Sequence, residues 1–220
     1  GCEEGGAGMR TIVCVQSRLS SKRFPLKALA DLDGKPLVWH VVNRATQIKG
    51  VDRVVLAAPQ ADQAEFDAAV AGLDVAVYGH LGEESDVLSR FLAVARRWQA
   101  SIVCRATGDC PVLDPLVAGK VIDLFHASQP CHFASNDTLV SGYADGLDFA
   151  VFSRAALETA AAQAIDPADR EHLECWFKRP ENGMRCVTLM APEKWTGPKL
   201  SIDTIDDLET AKAWLKGQGR

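Results

Sequence analysis

The strongest constraint on this chain is a repeated order of segments: a short, uninterrupted β-branched run, a polar loop, then an apolar stripe at helical spacing. Thr11 to Gln16 (TIVCVQ), Arg53 to Ala58 and Ser101 to Thr107 (SIVCRAT) have the pattern of strands buried on both faces, and Asp74 to Tyr78 reads as a further strand. Between them, Pro36 to Ile48 places Leu37, Val38, Val41, Val42 and Ala45 on one helical face behind a proline. Ala61 to Ala71 reads as a polar-faced helix. Asp86 to Trp98 aligns Val87, Leu88, Phe91, Leu92 and Ala95, and Asp114 to His126 aligns Leu116, Val117, Val121, Ile122 and Phe125. Strand and helix alternating in this way require a mostly parallel sheet covered on both faces. The expected fold class is therefore α/β, a Rossmann-like three-layer sandwich.

The alternation loosens after His126. Cys131 to Ser135 and Leu147 to Phe152 read as a small inserted strand pair, followed by helices at Arg154 to Ala164 and Ala168 to Lys178. Acceptor recognition or a dimer contact is expected in this 131–180 segment. Met184 to Leu189 and Leu200 to Ile202 read as two more strands, and Thr204 as the cap of a last helix carrying Leu208, Ala211 and Leu215.

A chain of 220 residues that is 47% hydrophobic fits one domain, here 9–220. Residues 1–8, GCEEGGAG, carry no motif and are expected to be a disordered tail or an expression remnant. No stretch approaches the roughly 18 apolar residues of a membrane span, so the expectation is a cytoplasmic protein with no membrane partner. A net charge of −5 argues against a broad nucleic-acid footprint, which needs a basic face. The seven cysteines are odd in number and lack CxxC spacing, so neither a zinc site nor a closed disulfide framework is suggested. They read as small apolar fillers, with Cys110 beside Asp109 the one to examine.

Against that acidity, the loop after the first strand is basic: QSRLSSKRFPLK, Gln16 to Lys27, holds Arg18, Lys22, Arg23 and Lys27 and no acid. Ligands of parallel α/β sheets bind beyond the carboxyl ends of strands, which places this loop where a triphosphate would be held. Arginine forks onto phosphate oxygens and lysine acts as a point charge. A solvated basic loop is the alternative. GxxxxGK[ST] and GxGxxG are both absent, so P-loop and dinucleotide readings lose support. TGDCPVLDP, Thr107 to Pro115, puts Asp109 at another strand's exit, and SIDT, Ser201 to Thr204, does the same for Asp203. Two carboxylates from separate strand ends suit one hard cation such as Mg²⁺, although each is also an ordinary turn or capping aspartate.

These three segments, in this order and spacing, resemble the cytidylyltransferases that include CMP-KDO synthetase, N-acylneuraminate cytidylyltransferase and the spore-coat polysaccharide F-type proteins. The likeness to the last group extends to GEESDVLSRF (Gly82 to Phe91), FASN (Phe133 to Asn136), ADGLDFAVFS (Ala144 to Ser153) and REH (Arg170 to His172), nearly the whole chain from Met9. The resemblance implies a Mg²⁺-dependent enzyme that transfers CMP from CTP to a small anionic acceptor, an acidic sugar or a phosphonate, and that works as a homodimer. It implies that Arg18 and Lys27 contact the CTP phosphates and act with Asp109 in catalysis. Gln16, Ser17, Ser21 and Lys22 would complete the nucleotide loop, Ser85 and Asp86 would lie near the base, and Asp109 and Asp203 would hold Mg²⁺. Arg105, Arg154, Arg170 and His172 are the candidates for the acceptor. Two positions depart from the family: Leu26 stands where many members have Gly before the loop lysine, and Val87 where KDO enzymes carry Arg. Competing readings are a nucleotidyltransferase using another triphosphate or a sugar phosphate, disfavoured because those families open on Gly-Gly where Ser17 and Arg18 stand, and a non-catalytic nucleotide-binding homologue.

Overall fold

A computed structural model describes residues 9–218, and the expected tail at 1–8 lies outside the described residues. The strands, in chain order, are β1 (Thr11–Gln16), β2 (Asp31–Leu32), β3 (Lys35–Pro36), β4 (Arg53–Pro59), β5 (Ala76–His80), β6 (Ile102–Thr107), β7 (Phe133–Ser135), β8 (Ala150–Ser153) and β9 (Cys186–Thr188). The helices are α1 (Leu37–Ala45), α2 (Gln63–Ala69), α3 (Val87–Arg97), α4 (Pro115–Ala127), α5 (Arg154–Gln163), α6 (Pro167–Glu171), α7 (Leu173–Phe177) and α8 (Ile205–Gln218).

The central strands are buried on both faces because successive side chains point to opposite sides. Val13 and Val15 of β1 pack under α1 and α4 in one core, while Ile12 and Cys14 pack against α3 in the other. The same alternation divides Val54, Leu56 and Ala58 of β4 from Val55 and Ala57. Several helices start where short polar side chains satisfy their free N–H groups. Asp86 caps α3, Asp114 caps α4 ahead of Pro115, and Ser153 caps α5.

Seven strands form one sheet in the order β5-β4-β1-β6-β8-β7-β9. From β1 the chain builds outward through β4 to β5, then returns by α3 to place β6 on the other side of β1. The connections leaving β1 and β6 therefore diverge, which opens a crevice at their carboxyl ends. β8 runs antiparallel to both β6 and β7, and the remaining pairs are parallel. This one reversal has a functional consequence. Ala150 at the start of β8 pairs with Arg105 and Ser135 at the end of β7, so residues 136–149 are returned to the crevice end of the sheet.

Several expectations are refined. The strand pair expected at 131–135 and 147–152 forms as antiparallel β7 and β8 (Phe133–Ser135 and Ala150–Ser153) within the main sheet. A separate two-stranded antiparallel sheet, not expected, forms from β2 and β3, residues 31–36. Leu200 to Ile202 is not a strand. It is irregular and belongs to no sheet, with Leu200 and Ser201 donating to the Asp145 carbonyl and Ile202 to the Asp109 carbonyl. The helix expected over Ala168 to Lys178 breaks at His172 into α6 and α7.

Gly146 explains how the 200–202 segment approaches so closely. Its φ is +109°, and a Cβ there would lie 2.5 Å from the backbone of both Leu200 and Ser201. Gly146→Ala is expected to lower unfolding stability by on the order of 2 kcal/mol in urea titrations, combining backbone strain and steric displacement.

Candidate functional site

The crevice is a cleft of about 760 Å³ whose lining comes from five segments: the end of β1 and its loop, the stretch before and into α3, β6 and the turn after it, Glu171 and His172 at the α6–α7 junction, and Asp203 ahead of α8. That volume lies in the range of small-molecule sites. Lys27 sits at its centre, on a short 3₁₀ turn (Lys27–Leu29). Its ammonium donates to Asp109 Oδ2 at 3.0 Å, to Asp203 Oδ1 at 3.3 Å and to the Ile202 carbonyl at 2.8 Å. Residues separated by more than eighty positions are thus joined through one charge. The lysine side chain is only 16% exposed, so these bonds are shielded from water.

Local geometry supports this centre. Leu26, just before Lys27, adopts the left-handed conformation with φ 55° and ψ 25°. This accounts for the frequent glycine at that position in the proteins the sequence resembles, since glycine enters this region without steric cost. Gly108 serves the turn after β6: a Cβ there would fall 2.5 Å from Ser17 Oγ and 2.9 Å from the Gln16 carbonyl, which the Gly108 N–H contacts at 2.7 Å. Asp109 is thereby pressed against the end of β1.

Asp203 lies among three cations. Arg23 and Lys27 reach Oδ1 at 2.9 and 3.3 Å, and Lys199 reaches Oδ2 at 2.8 Å. Burial alone would push the Asp203 carboxyl up, but Lys199 and Lys27 outweigh burial and hold it below the usual carboxylate range. Asp207 completes the corner by accepting from the backbone N–H groups of Asp203 and Thr204 at 2.9 Å each, while Thr204 Oγ1 accepts from Asp207 N. Thr204 is the cap expected for the last helix, and this reciprocal pair resembles a capping box.

The other site candidates divide. Gln16, Ser17, Arg18, Ser21, Lys22 and Ser85 line the cleft, as do Arg105 and His172. Arg18 turns toward its mouth, pairing with Glu84 at 2.8 Å and more distantly with Glu171 at 3.9 Å. Arg105 bonds Gln16 Oε1 at 3.3 Å and Glu174 Oε1 at 3.1 Å. Asp86 and Arg170 meet each other instead: two guanidinium nitrogens reach Asp86 Oδ2 at 3.0 and 2.8 Å, and Asp86 Oδ1 caps α3 through Ser89 N. Arg154 lies at the opposite end of β6, where its N–H bonds the Ser101 carbonyl and its side chain pairs with Glu158. It does not line the cleft.

Lys199, Glu84, Glu171 and Arg90 also belong to this neighbourhood and were not singled out from the sequence. Lys199 stands four residues before Asp203, an ordinary spacing with no motif. Arg90 carried a legible signal, because it falls within the apolar stripe of α3 between Val87 and Phe91. Cys110 is buried beneath the site, bonded to Thr107 Oγ1 at 3.0 Å, and burial together with nearby acids pushes its thiol well above the ordinary range. That disposition suits a packing residue and not a nucleophile. All six cysteines of the described residues are free.

The carboxylate pair suits a hard cation. An ammonium already stands about 3 Å from both acids, and the ligand atoms on offer are carboxylate oxygens. No cluster of three or more His, Cys, Asp or Glu side chains with metal-binding geometry occurs among the described residues. Two protein ligands fit Mg²⁺, which keeps waters and shares substrate phosphates, better than an ion needing a full protein cage.

Comparison with known proteins shows what the chain is similar to. The family model described as cytidylyltransferase matches residues 12–180. The chain is 29% identical to 3-deoxy-manno-octulosonate cytidylyltransferase of Anaeromyxobacter dehalogenans, over 92% of this chain and 96% of that protein. It is 28% identical to spore coat polysaccharide biosynthesis protein SpsF of Bacillus subtilis, over 93% and 86%. Among solved structures, a cytidylyltransferase from Leptospira borgpetersenii superposes with a TM-score of 0.85 at 24% identity, covering 95% of this chain and 87% of that one.

Because Gly108 holds the post-β6 turn down over Cys110, thiol labelling reports on the site's packing. Iodoacetamide is expected to modify exposed Cys175 in the native protein and to leave Cys110 intact, with labelling read by peptide mass spectrometry. In Gly108→Ala, Cys110 labelling is expected to rise while far-UV circular dichroism stays native.

Proposed function

The chain belongs to the cytidylyltransferase family, and we propose that it transfers CMP from CTP to a small anionic acceptor, an acidic sugar or a phosphonate, releasing pyrophosphate. The observation that carries this reading is the Lys27 ammonium bonded to both Asp109 and Asp203 inside a cleft that Arg18, Lys22 and Arg23 also line. Opposite charges of this kind, drawn together by separate segments, are what a metal-bound triphosphate requires on its two sides.

In this reading the acceptor oxygen attacks the α-phosphorus in line and pyrophosphate leaves, with no covalent enzyme intermediate. The protein's contribution is positioning and charge neutralisation. Asp109 and Asp203 would hold Mg²⁺, which when bound neutralises phosphate charge and favours ionisation of the attacking oxygen. Lys27 exchanges its carboxylate partners for phosphate oxygens and stabilises charge that builds on the departing pyrophosphate. Arg18, half-exposed at the mouth, gives up Glu84 for a phosphate at little cost, because a surface pair of this kind contributes about 1 kcal/mol or less. Gln16, Ser17, Ser21 and Lys22 line the triphosphate's path, and Ser85 lies toward the nucleoside.

For the acceptor, the cleft offers Arg105 and His172. Glu174 and Gln16 fix the Arg105 fork, which can then be offered to a carboxylate or phosphonate in a defined orientation. Arg170 acts one step removed, by holding Asp86 and with it the start of α3.

A pyrophosphate-release screen crossing four nucleoside triphosphates with acidic sugars, sugar phosphates and phosphonates tests the reading; release with none of them overturns it. Lys27→Ala is expected to lower turnover on the order of 100-fold or more. Asp109→Asn is expected to abolish metal-dependent activity, and an unchanged Mg²⁺ dependence would remove it from the metal site.

A further inference from the structure

Arg90 is the most anomalous side chain of the molecule. It is 1% exposed and is the largest of the fully buried side chains. Its one hydrogen bond among the described residues runs from Nη2 to the Glu84 carbonyl at 2.8 Å, and its buried Nε has no partner. The two acids nearest in sequence are engaged elsewhere: Asp86 accepts from Arg170 and from Ser89 N, and Glu84 directs its carboxylate to Arg18 and Ser20. Burying a guanidinium without a carboxylate is costly, and a fold that needed only to fill this position would do better with an apolar side chain. Burial indeed pulls the Arg90 guanidinium below its ordinary range. Yet Arg90 lines the cleft, beside Val87 and Ser85.

We propose that Arg90 is a specificity-determining residue that donates from the cleft floor to a nucleobase carrying two adjacent acceptors, and so selects cytosine over uracil. The inference rests on the nucleotide-binding reading of the cleft. Placement separates the base from the phosphates. Asp109 follows β6 and Asp203 precedes α8, whereas Arg90 lies on α3, which the chain enters from β5 at the other edge of the sheet. A triphosphate gripped at the Lys27 end leaves its nucleoside toward α3, whose first turn, Val87 included, lines the cleft.

The chemistry of the base then decides. Arginine presents donors in a fixed planar fork and has no acceptor. Cytosine offers its O2 carbonyl and an unprotonated N3 side by side, so both positions accept. Uracil keeps O2 but carries a proton on N3, which faces the cationic fork with a second donor. A group built to pair with a buried donor set rejects the base that leaves it unpaired, and a good two-point contact discriminates by about 5- to 150-fold.

The test compares wild type with Arg90→Met and Arg90→Lys, measuring CTP and UTP binding calorimetrically and unfolding temperature without ligand. The expected result is that the CTP over UTP preference falls at least 10-fold in Arg90→Met, through weaker CTP binding with UTP little changed. The unfolding temperature of that variant is expected to hold or rise, because a buried unpaired charge is gone. Arg90→Lys, which keeps a charge but not the fork, is expected to lose most of the preference as well. Equal losses for CTP and UTP would overturn the proposal in favour of phosphate binding. A lower unfolding temperature with the preference intact would overturn it in favour of a structural role. If wild type binds neither triphosphate, the nucleotide reading itself falls, and Arg90's assignment with it; if wild type prefers CTP and both variants keep that preference, only the assignment falls.

Discussion

A single ammonium group organises the functional end of this molecule. Lys27 Nζ draws Asp109 and Asp203 to within hydrogen-bonding distance of one point, although each comes from a different part of the chain. Without that charge, two carboxylates would face each other in a partly buried cleft, and their repulsion would favour protonation or separation. The supporting details follow from this arrangement. Leu26 accepts an unfavourable backbone conformation to aim the lysine, Gly108 lets the β6 turn press against β1, and Lys199 and Arg23 share the charge of Asp203.

The rest of the fold serves to bring three loop ends to one place. Divergent connections at β1 and β6 create the opening, and the reversed strand β8 returns the 136–149 segment to the same end. A wholly parallel continuation would have sent that segment elsewhere. Across the cleft, Arg105 is tied through Glu174 to Lys178 and from there to Asp137. The Arg105 side of the cleft is therefore connected to the 136–149 loop by ion pairs, while the Lys27 side is built mainly from backbone turns.

The central architecture was legible in the sequence because its signal is local. Continuous apolar runs such as TIVCVQ and SIVCRAT can be satisfied only between two layers, and α1, α3 and α4 show their stripes within a dozen residues. The meeting of Lys27, Asp109 and Asp203 was also readable, from the family resemblance and, for Lys27 and Asp109, from position after strand ends; the strand expected before Asp203 is not there. What escaped depends on tertiary context. Leu200 to Ile202 has the composition of a strand, but no neighbouring strand is free to pair with it, so its donors go to single carbonyls in two turns. His172 interrupts a helical pattern whose apolar positions continue on both sides. Arg154 and Arg170 are indistinguishable by type from Arg105. Only the direction of the strand or helix that carries each one decides whether it meets the cleft, a surface partner or a helix cap.

Ile202 links Asp109 and Lys27 without using its side chain. Its N–H bonds the Asp109 main chain and its carbonyl accepts from Lys27, each at 2.8 Å, while its fully buried isoleucyl group anchors the peptide in the core. The segments that carry the two acids are therefore tied by a backbone hydrogen bond one residue before Asp203. If a cation binds between the acids as proposed, it meets a calliper already set at folding, and exchanging lysine's charge for a metal's would require little rearrangement of the surrounding chain.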